Sequence, residues 1–310
     1  MVNNQSLKVL ILVANSTSYP SKLMVPLISN TWGKDNRVET FFYQGGVKSA
    51  YHDENKIYLN ISNSYEDAPI KTMEVLKYIN KNFEFDFVFR VTTTCFINIT
   101  NLLSFLKNIE SINCYLGQEL VYPPIRDSKT ETVRFLSGAG IIISKDVVKK
   151  IIDNEESYEH KLYADDVALG KLITEKTNIP FQEGFREDYY YGLPKTKNIN
   201  PKNYHYRFRL DLQYFPRYLE CLVLINLYYK FKKNIFESKY WQIIFSIIDF
   251  YLHIIFLFFK LINPKYIKYL LHKLINNIYK LFVNIIKSNL FIYNLSKKIK
   301  KRYLELRRKK

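Results

Sequence analysis

Along residues 1–200, short apolar runs alternate with segments whose apolar residues recur at helical spacing. LKVLILVAN (7–15) is almost unbroken in its apolar character, as expected of a strand buried on both faces. The YPSKLMVPLISNTW stretch that follows predicts a turn and a short helix. RVETFFYQ (37–44) and KIYLNIS (56–62) predict two more strands, stopped by Gly45–Gly46 and by the polar SYEDAP turn. Between Ile70 and Asn80, Met73, Leu76 and Ile79 mark one face of a helix. DFVFRV (86–91) predicts a fourth strand, and Ile99–Ile109 a further helix. Beyond a proline-containing loop (122–130), a Gly138–Ala139–Gly140 turn is expected to feed an apolar strand. Ser144 then serves as N-cap of a helix over Lys145–Ile152. YADDVALGKLITEK (163–176) opens another helix with two carboxylates, at the end where free N–H groups and the helix dipole favour negative charge. This alternation predicts an α/β domain with a mainly parallel central sheet, closed by YYYGLP and YHYRFR and ending near residue 235. Ligands of such sheets bind beyond the carboxyl ends of the strands, where Arg90–Thr94 fall.

The pattern changes in the last third. WQIIFSIIDFYLHIIFLFFKLI (241–262) is long enough to span a bilayer, but Gln242, Ser246, Asp249, His253 and Lys260 lie along one narrow helical face. Over 265–287, Lys265, Lys268, His272, Asn276, Lys280 and Lys287 form a basic stripe opposite an apolar one, and KKIKKRYLELRRKK adds a dense positive block. Charge sharpens the division. Residues 1–200 hold 23 Lys and Arg against 24 Asp and Glu, whereas 201–310 hold 23 against 5, so the back third carries the whole excess of +17. We expect an all-α amphipathic region over 236–310 that lies on an anionic membrane surface as a peripheral, monotopic anchor. A helical hairpin packed on itself and a dimerisation arm remain alternatives. Nucleic acid is disfavoured as a partner, because the positive charge rides on a large apolar surface and the front of the chain is neutral.

Cys95, Cys114 and Cys221 form no close pair and no metal-ligand spacing, which fits a reducing compartment. MVNNQSLK opens without the pattern of a signal peptide, so the expected location is the cytoplasmic side of the membrane. The sequons at Asn60, Asn98 and Asn294 are then expected to carry no glycan.

Five segments in order, LISNTWGKD, SYEDAPIKTMEVLKYI, DFVFRVTTTCFINITNLLSFL, FLSGAGIIISKDVVKKI and YADDVALG, together resemble the Fringe-like and galactosyltransferase-type enzymes. These are glycosyltransferases of the GT-A fold that use nucleotide-sugar donors, and the likeness runs over about 7–215. One departure stands out. The family's Asp-x-Asp, which holds a divalent cation on the donor diphosphate, is replaced by Thr92–Thr93–Thr94, and neutral hydroxyls are poor ligands for a hard dication.

The resemblance implies inverting transfer of a hexose or N-acetylhexosamine from a UDP-linked sugar to a saccharide or glycolipid acceptor. Asp166 would be the general base, with Asp165 orienting it or raising its pKa; capping a helix N-terminus is the alternative for both. Lys71, Arg90, His205 and Arg207 are the candidate cations for the donor diphosphate, and Thr92, Thr93 and Thr94 the candidate hydroxyl donors. Arg90 could instead be solvated or paired with a residue such as Asp86. YHYRFR could instead be an edge strand, and the threonines simply β-branched strand residues. Ser137, Gly138, Ala139 and Gly140 would let the backbone approach donor or acceptor closely. No metal ligand is assigned; a loosely held Mn2+ or Mg2+ stays open. A catalytically silent glycan- or nucleotide-binding protein of the same fold, held at a membrane, is the competing functional class.

Overall fold

The computed structural model describes residues 7–17, 21–64, 66–123, 131–190, 199–209, 218–233 and 239–261. The expected basic stripe over 265–287, the basic tail and the expected domain boundary at 235–236 lie outside these residues. The chain divides into two compact units, one holding residues up to 253 apart from 212–214, the other beginning at Ile254. Both described sheets belong to the first unit.

Its main sheet has eight strands. Their order is β3 (Tyr51–Asp53), β4 (Lys56–Tyr58), β2 (Glu39–Gln44), β1 (Val9–Ala14), β5 (Phe87–Thr92), β8 (Val133–Ser144), β7 (Tyr115–Tyr122) and β9 (Gln182–Glu183). A smaller sheet places β11 (His205–Arg209) between β10 (Arg186–Tyr190) and β6 (Cys95–Ile97). The helices are α1 (Ser21–Asn30), α2 (Ala68–Asn82), α3 (Ile99–Leu106), α4 (Lys145–Asp153), α5 (Asp165–Lys176), α6 (Tyr218–Lys232) and α7 (Lys239–Leu261).

The apolar runs form the middle of the large sheet, as their pattern implies. Leu10, Leu12 and Val88 join Met73, Leu76 and Ile79 of α2, Val147, Val148 and Ile151 of α4, and Val167, Leu169 and Leu172 of α5 in one buried cluster. Ile11, Val13, Phe87 and Phe89 alternate to the opposite face and are equally buried.

The sheet is mixed, with parallel pairs in a narrow majority. The pairs β4–β2, β2–β1, β1–β5 and β7–β9 are parallel; β3–β4, β5–β8 and β8–β7 are antiparallel. The reversal on this side of the sheet is β8, which runs against both β5 and β7; the polar outer half of β7, Gln118 and Glu119, hides that strand from an apolar-run search. YHYRFR is no edge strand either, since β11 is central in the small sheet.

A second correction concerns Gly138–Ala139–Gly140. These residues are not a turn before a strand but lie inside β8. Gly117 of β7 pairs with Ile141, but Glu119 pairs with Leu136, so Ser137–Gly140 stand opposite Gln118 alone. The segment is a wide bulge, a device that bends a strand and re-aims its side chains. Ser144 does occupy the N-cap position of α4, but its hydroxyl donates to Asp146 at 2.6 Å rather than accepting from the helix backbone. Asn98, read as an empty sequon, caps α3 by accepting from Asn101 N at 3.2 Å.

Beyond β11, α6 packs on the small sheet, with Phe231 stacked on Phe96 at 5.5 Å between ring centroids and tilted on Tyr206 at 5.6 Å. Its other side holds α7: Asp249 accepts from Lys230 Nζ at 2.6 and 2.8 Å and from Asn226 at 2.8 Å. Lys230 is 1% exposed, and burial lowers its pKa against the pull of Asp249. Among the described residues, no helix is long and apolar enough to cross a membrane. Removing one member of a buried ion pair strands the other, so Lys230→Met should destabilise the unit by about 3–5 kcal/mol. Lys230→Met/Asp249→Leu should recover most of that loss, both read from denaturant melts.

Candidate active site

The site grows from the bulge in β8, each of whose four residues is held by a different element. Ser137 Oγ accepts from Arg186 Nη1 of β10 at 3.0 Å. Gly138 is gripped at both ends: its N–H donates to Asp166 Oδ2 at 2.7 Å, and its carbonyl accepts from Arg90 Nη1 of β5. The Ala139 carbonyl lies 3.2 Å from the Cys95 thiol of β6. Gly140 faces the His205 ring of β11. A Cβ at Gly140 would overlap that ring, and one at Gly138 would strike the Arg90 guanidinium. Glycine is required at both positions by close approach.

Arg90 is the hub. Nε donates to Tyr43 Oη at 3.2 Å, Nη1 to Gly138 and Nη2 to Asp165 Oδ2, so one buried guanidinium joins β2, the bulge and α5. Burial opposes its charge, but Asp165, Tyr43 and Asp166 outweigh that and hold its pKa above the ordinary value. The alternative partner Asp86 instead accepts from the backbone N–H of Lys8.

The two aspartates at the start of α5 do different things. The N-cap is Ala164, with no side-chain capping bond. Asp165 turns to Arg90 and also accepts from Thr72 Oγ1 at 3.0 Å. Asp166 accepts from Gly138 N and, at 3.0 Å, from Val167 N, and it remains half-buried. Those two bonds leave lone pairs free on its carboxylate. Burial raises the Asp166 pKa, and so does the like charge of Asp165; the Gly138 N–H, Arg90 and the Val167 N–H work against them.

Thr92, Thr93 and Thr94 form the tight link from β5 to β6. The Thr92 and Thr94 hydroxyls bond each other at 2.9 Å, and the Thr94 carbonyl accepts from Phe208 N of β11. Thr93 and Thr94 are each 6% exposed. Trp32, from the LISNTWGKD segment, donates Nε1–H to the Cys95 carbonyl at 3.1 Å and braces this link from behind.

His205 lies edge-on to Phe89 and is buried, and its Nε2 has no hydrogen-bond partner among the described residues. Burial first, then Arg186 and Arg207, push its pKa well below the usual value, so it is neutral at physiological pH. Arg207 sits opposite Cys95 in the β11–β6 register. The Lys71 ammonium donates to the Ser64 carbonyl at 2.8 Å; burial lowers its pKa against the pull of Asp67, Asp165 and Glu66.

The fold therefore brings together Arg90, Thr92–Thr94, Ser137–Gly140, Asp165, Asp166, His205 and Arg207, while the ammonium of Lys71, within the field of Asp165, is bonded to the Ser64 carbonyl. Sequence reasoning missed Tyr43, hidden in an apolar strand, and Arg186, whose segment carried no recognisable signal. Thr72 was in view beside Lys71, but it is the threonine that reaches Asp165. A cleft of about 1210 Å³ lined by Trp32, Phe96, Phe105 and Phe231 includes none of the expected site residues.

A divalent cation does not fit this donor set. Among the described residues no three His, Cys, Asp or Glu side chains converge, and the hydroxyls where the resemblance would place carboxylates bond each other.

Residues 27–183 match the family model described as Galactosyltransferase, just over half of the chain, from the last turn of α1 through the bulge and α5. The chain belongs to the galactosyltransferase family. Among curated proteins, this family member is similar to the UDP-GalNAc:beta-1,3-N-acetylgalactosaminyltransferase 2 of Xenopus laevis. The two are 26% identical over 126 residues, which cover 37% of the chain and 26% of that relative. The Xenopus tropicalis protein of the same name is 25% identical over 126 residues, covering 37% of the chain and 25% of its own length. The galactosyltransferase-family chain thus spans about a quarter of these curated relatives. Among solved structures it is similar to a 4-diphosphocytidyl-2C-methyl-D-erythritol synthase from Anaerococcus prevotii. That likeness has a TM-score of 0.37 and 11% identity, covering 57% of this chain and 86% of the other.

Because His205 fills the space in front of Gly140, Gly140→Ala should destabilise this domain by about 1–3 kcal/mol through overpacking. His205→Ala in the same chain should return part of that loss, measured as the coupling in a double-mutant cycle of chemical melts.

Proposed function

We propose that the chain transfers a hexose or N-acetylhexosamine from a nucleotide sugar to a saccharide or glycolipid acceptor, with inversion and Asp166 as general base. The observation that carries this reading is the half-buried Asp166 carboxylate, fixed by the Gly138 N–H inside a segment that matches the family model. The names of the Xenopus relatives make UDP-GalNAc the first donor to try.

In the proposed step Asp166 takes the proton of the acceptor hydroxyl as its oxygen bonds to the anomeric carbon. The bond from that carbon to the phosphate oxygen breaks, and the nucleoside diphosphate leaves with the electron pair. A base in hydrogen-bond reach supplies about 10²–10⁴-fold of the rate. A raised pKa makes Asp166 a stronger base than an exposed aspartate, at the cost of protonation at a higher pH. Charge growing on the leaving group needs fixed donors. Arg207, the Thr92 and Thr94 hydroxyls and an Nε2–H tautomer of His205 are the groups proposed for this, in place of a carboxylate-held cation. Arg90 acts through others in this reading, as a positioning residue that sets Asp165 and the Gly138 carbonyl.

The test is transfer from a panel of UDP-sugars, each with Mn2+ and with EDTA. Transfer that survives EDTA is expected, and Asp166→Asn should lower kcat by about 10²–10⁴-fold. Transfer only with Mn2+ overturns the metal-free assignment, and unchanged transfer by Asp166→Asn overturns the base. Absence of transfer with tight nucleotide binding would select the silent binding protein instead.

The pH profile gives a separate check. Activity should fall on the acid side as Asp166 is protonated, at a pH above that of an ordinary aspartate (about 3.9). Asp165→Asn removes a like charge and frees that of Arg90, both of which lower the Asp166 pKa. Its acid limb in log(kcat/KM) should therefore move to lower pH; movement upward contradicts the roles of Asp165 and Arg90 in setting the Asp166 pKa.

A further inference from the structure

The α6–α7 pair is inside out with respect to charge. Its described acidic groups point inward: Glu220 is 4% exposed, and Asp249 is bound to Lys230 and Asn226. Phe245 and Leu252 share the inner side of α7 with Asp249. The outer side, from Ile243 to Tyr251, shows Ile243 at 64%, Ile247 at 53%, Phe250 at 63% and Tyr251 at 61% exposure, with Ser246 as the one exposed polar residue among them. Lys232 and Lys233 are exposed at the end of α6. Large apolar side chains contiguous on one helix face mark a surface meant to be covered.

Two occupants fit an apolar face, a second copy of the chain and a lipid bilayer, and charge separates them. Residues 201–310 carry 23 basic groups against 5 acidic ones, so pairing two copies through this region would set one strongly positive segment against another. An anionic bilayer accepts the apolar residues and attracts the lysines. We infer that α7 docks in the plane of an anionic lipid surface through Ile243, Ile247, Phe250 and Tyr251, with the Lys230–Asp249 pair fixing which face is offered. This sharpens the expectation from sequence, in which Asp249 belonged to a stripe of undetermined direction. It does not depend on the reaction proposed above.

Flotation of the full chain with vesicles of phosphatidylcholine, alone or mixed with phosphatidylglycerol, tests it. The wild type should float with the mixed vesicles and less with phosphatidylcholine alone. Ile243→Glu/Phe250→Glu should bind the mixed vesicles at least about tenfold more weakly, since two buried apolar anchors are replaced by charges. Both substitutions are at exposed positions, so the thermal melt should match the wild type. If the double variant melts lower, the milder Phe250→Ser supplies the comparison and should weaken flotation in the same direction. Wild type that does not float with mixed vesicles, or a folded variant that floats equally well, overturns the proposal. So does a lipid-free dimer, seen by sedimentation, that the double variant converts to monomer, because a second copy would then be the cover.

Discussion

One guanidinium holds the centre of this domain together. Arg90 leaves β5 two residues before its end and bonds Tyr43 of β2, the Gly138 carbonyl and Asp165, so two strands that flank β1, the bulge and the start of α5 meet on a single planar group. Five fixed N–H donors let arginine do this where lysine could not. The consequences spread outward. With Asp165 occupied by Arg90 and Thr72, its neighbour Asp166 has, among the described residues, backbone partners and a partly buried carboxylate. With its carbonyl held, Gly138 can present its N–H to Asp166. The geometry of the proposed base is thus inherited from an interaction between two other side chains.

The bulge gives the same logic in the backbone. Widening β8 by three residues relative to β7 would ordinarily leave peptide groups without ladder partners, and buried peptide groups need partners. In this domain Asp166, Arg90, Cys95 and Arg186 supply contacts along the bulge. They come from three separated stretches, around 90–95, 166 and 186, so the segment is held only when these have assembled around it.

That explains what could be read in the sequence and what could not. The strands β1, β2 and β5 and the helices α2, α4 and α5 declare themselves because burial imposes a local period, and a period is visible in a string. That Asp166 and the Ser137–Gly140 segment belong to a galactosyltransferase-type stretch was legible through motif order. Which carboxylate pairs with Arg90 was not, since β5 and α5 are 75 residues apart and nothing local links them. The strand nature of the bulge was hidden by its glycines, which read as a turn. Tyr43 looked like any aromatic in a buried strand, and β7 was masked by its polar outer half.

The shared position of α6 has a mechanical meaning. Phe231 rests on Phe96 of β6, the strand reached directly from Thr92–Thr94, while Lys230 of the same helix holds Asp249 of α7. Packed side chains therefore link the outer helix, through α6, to the small sheet beside the threonine link. Whatever the outer helix rests on becomes a floor from which the site stands at a set height and tilt. An acceptor rooted in that floor would be sorted by reach, because a chain too short to rise to Asp166 would never meet the base, whatever its chemistry.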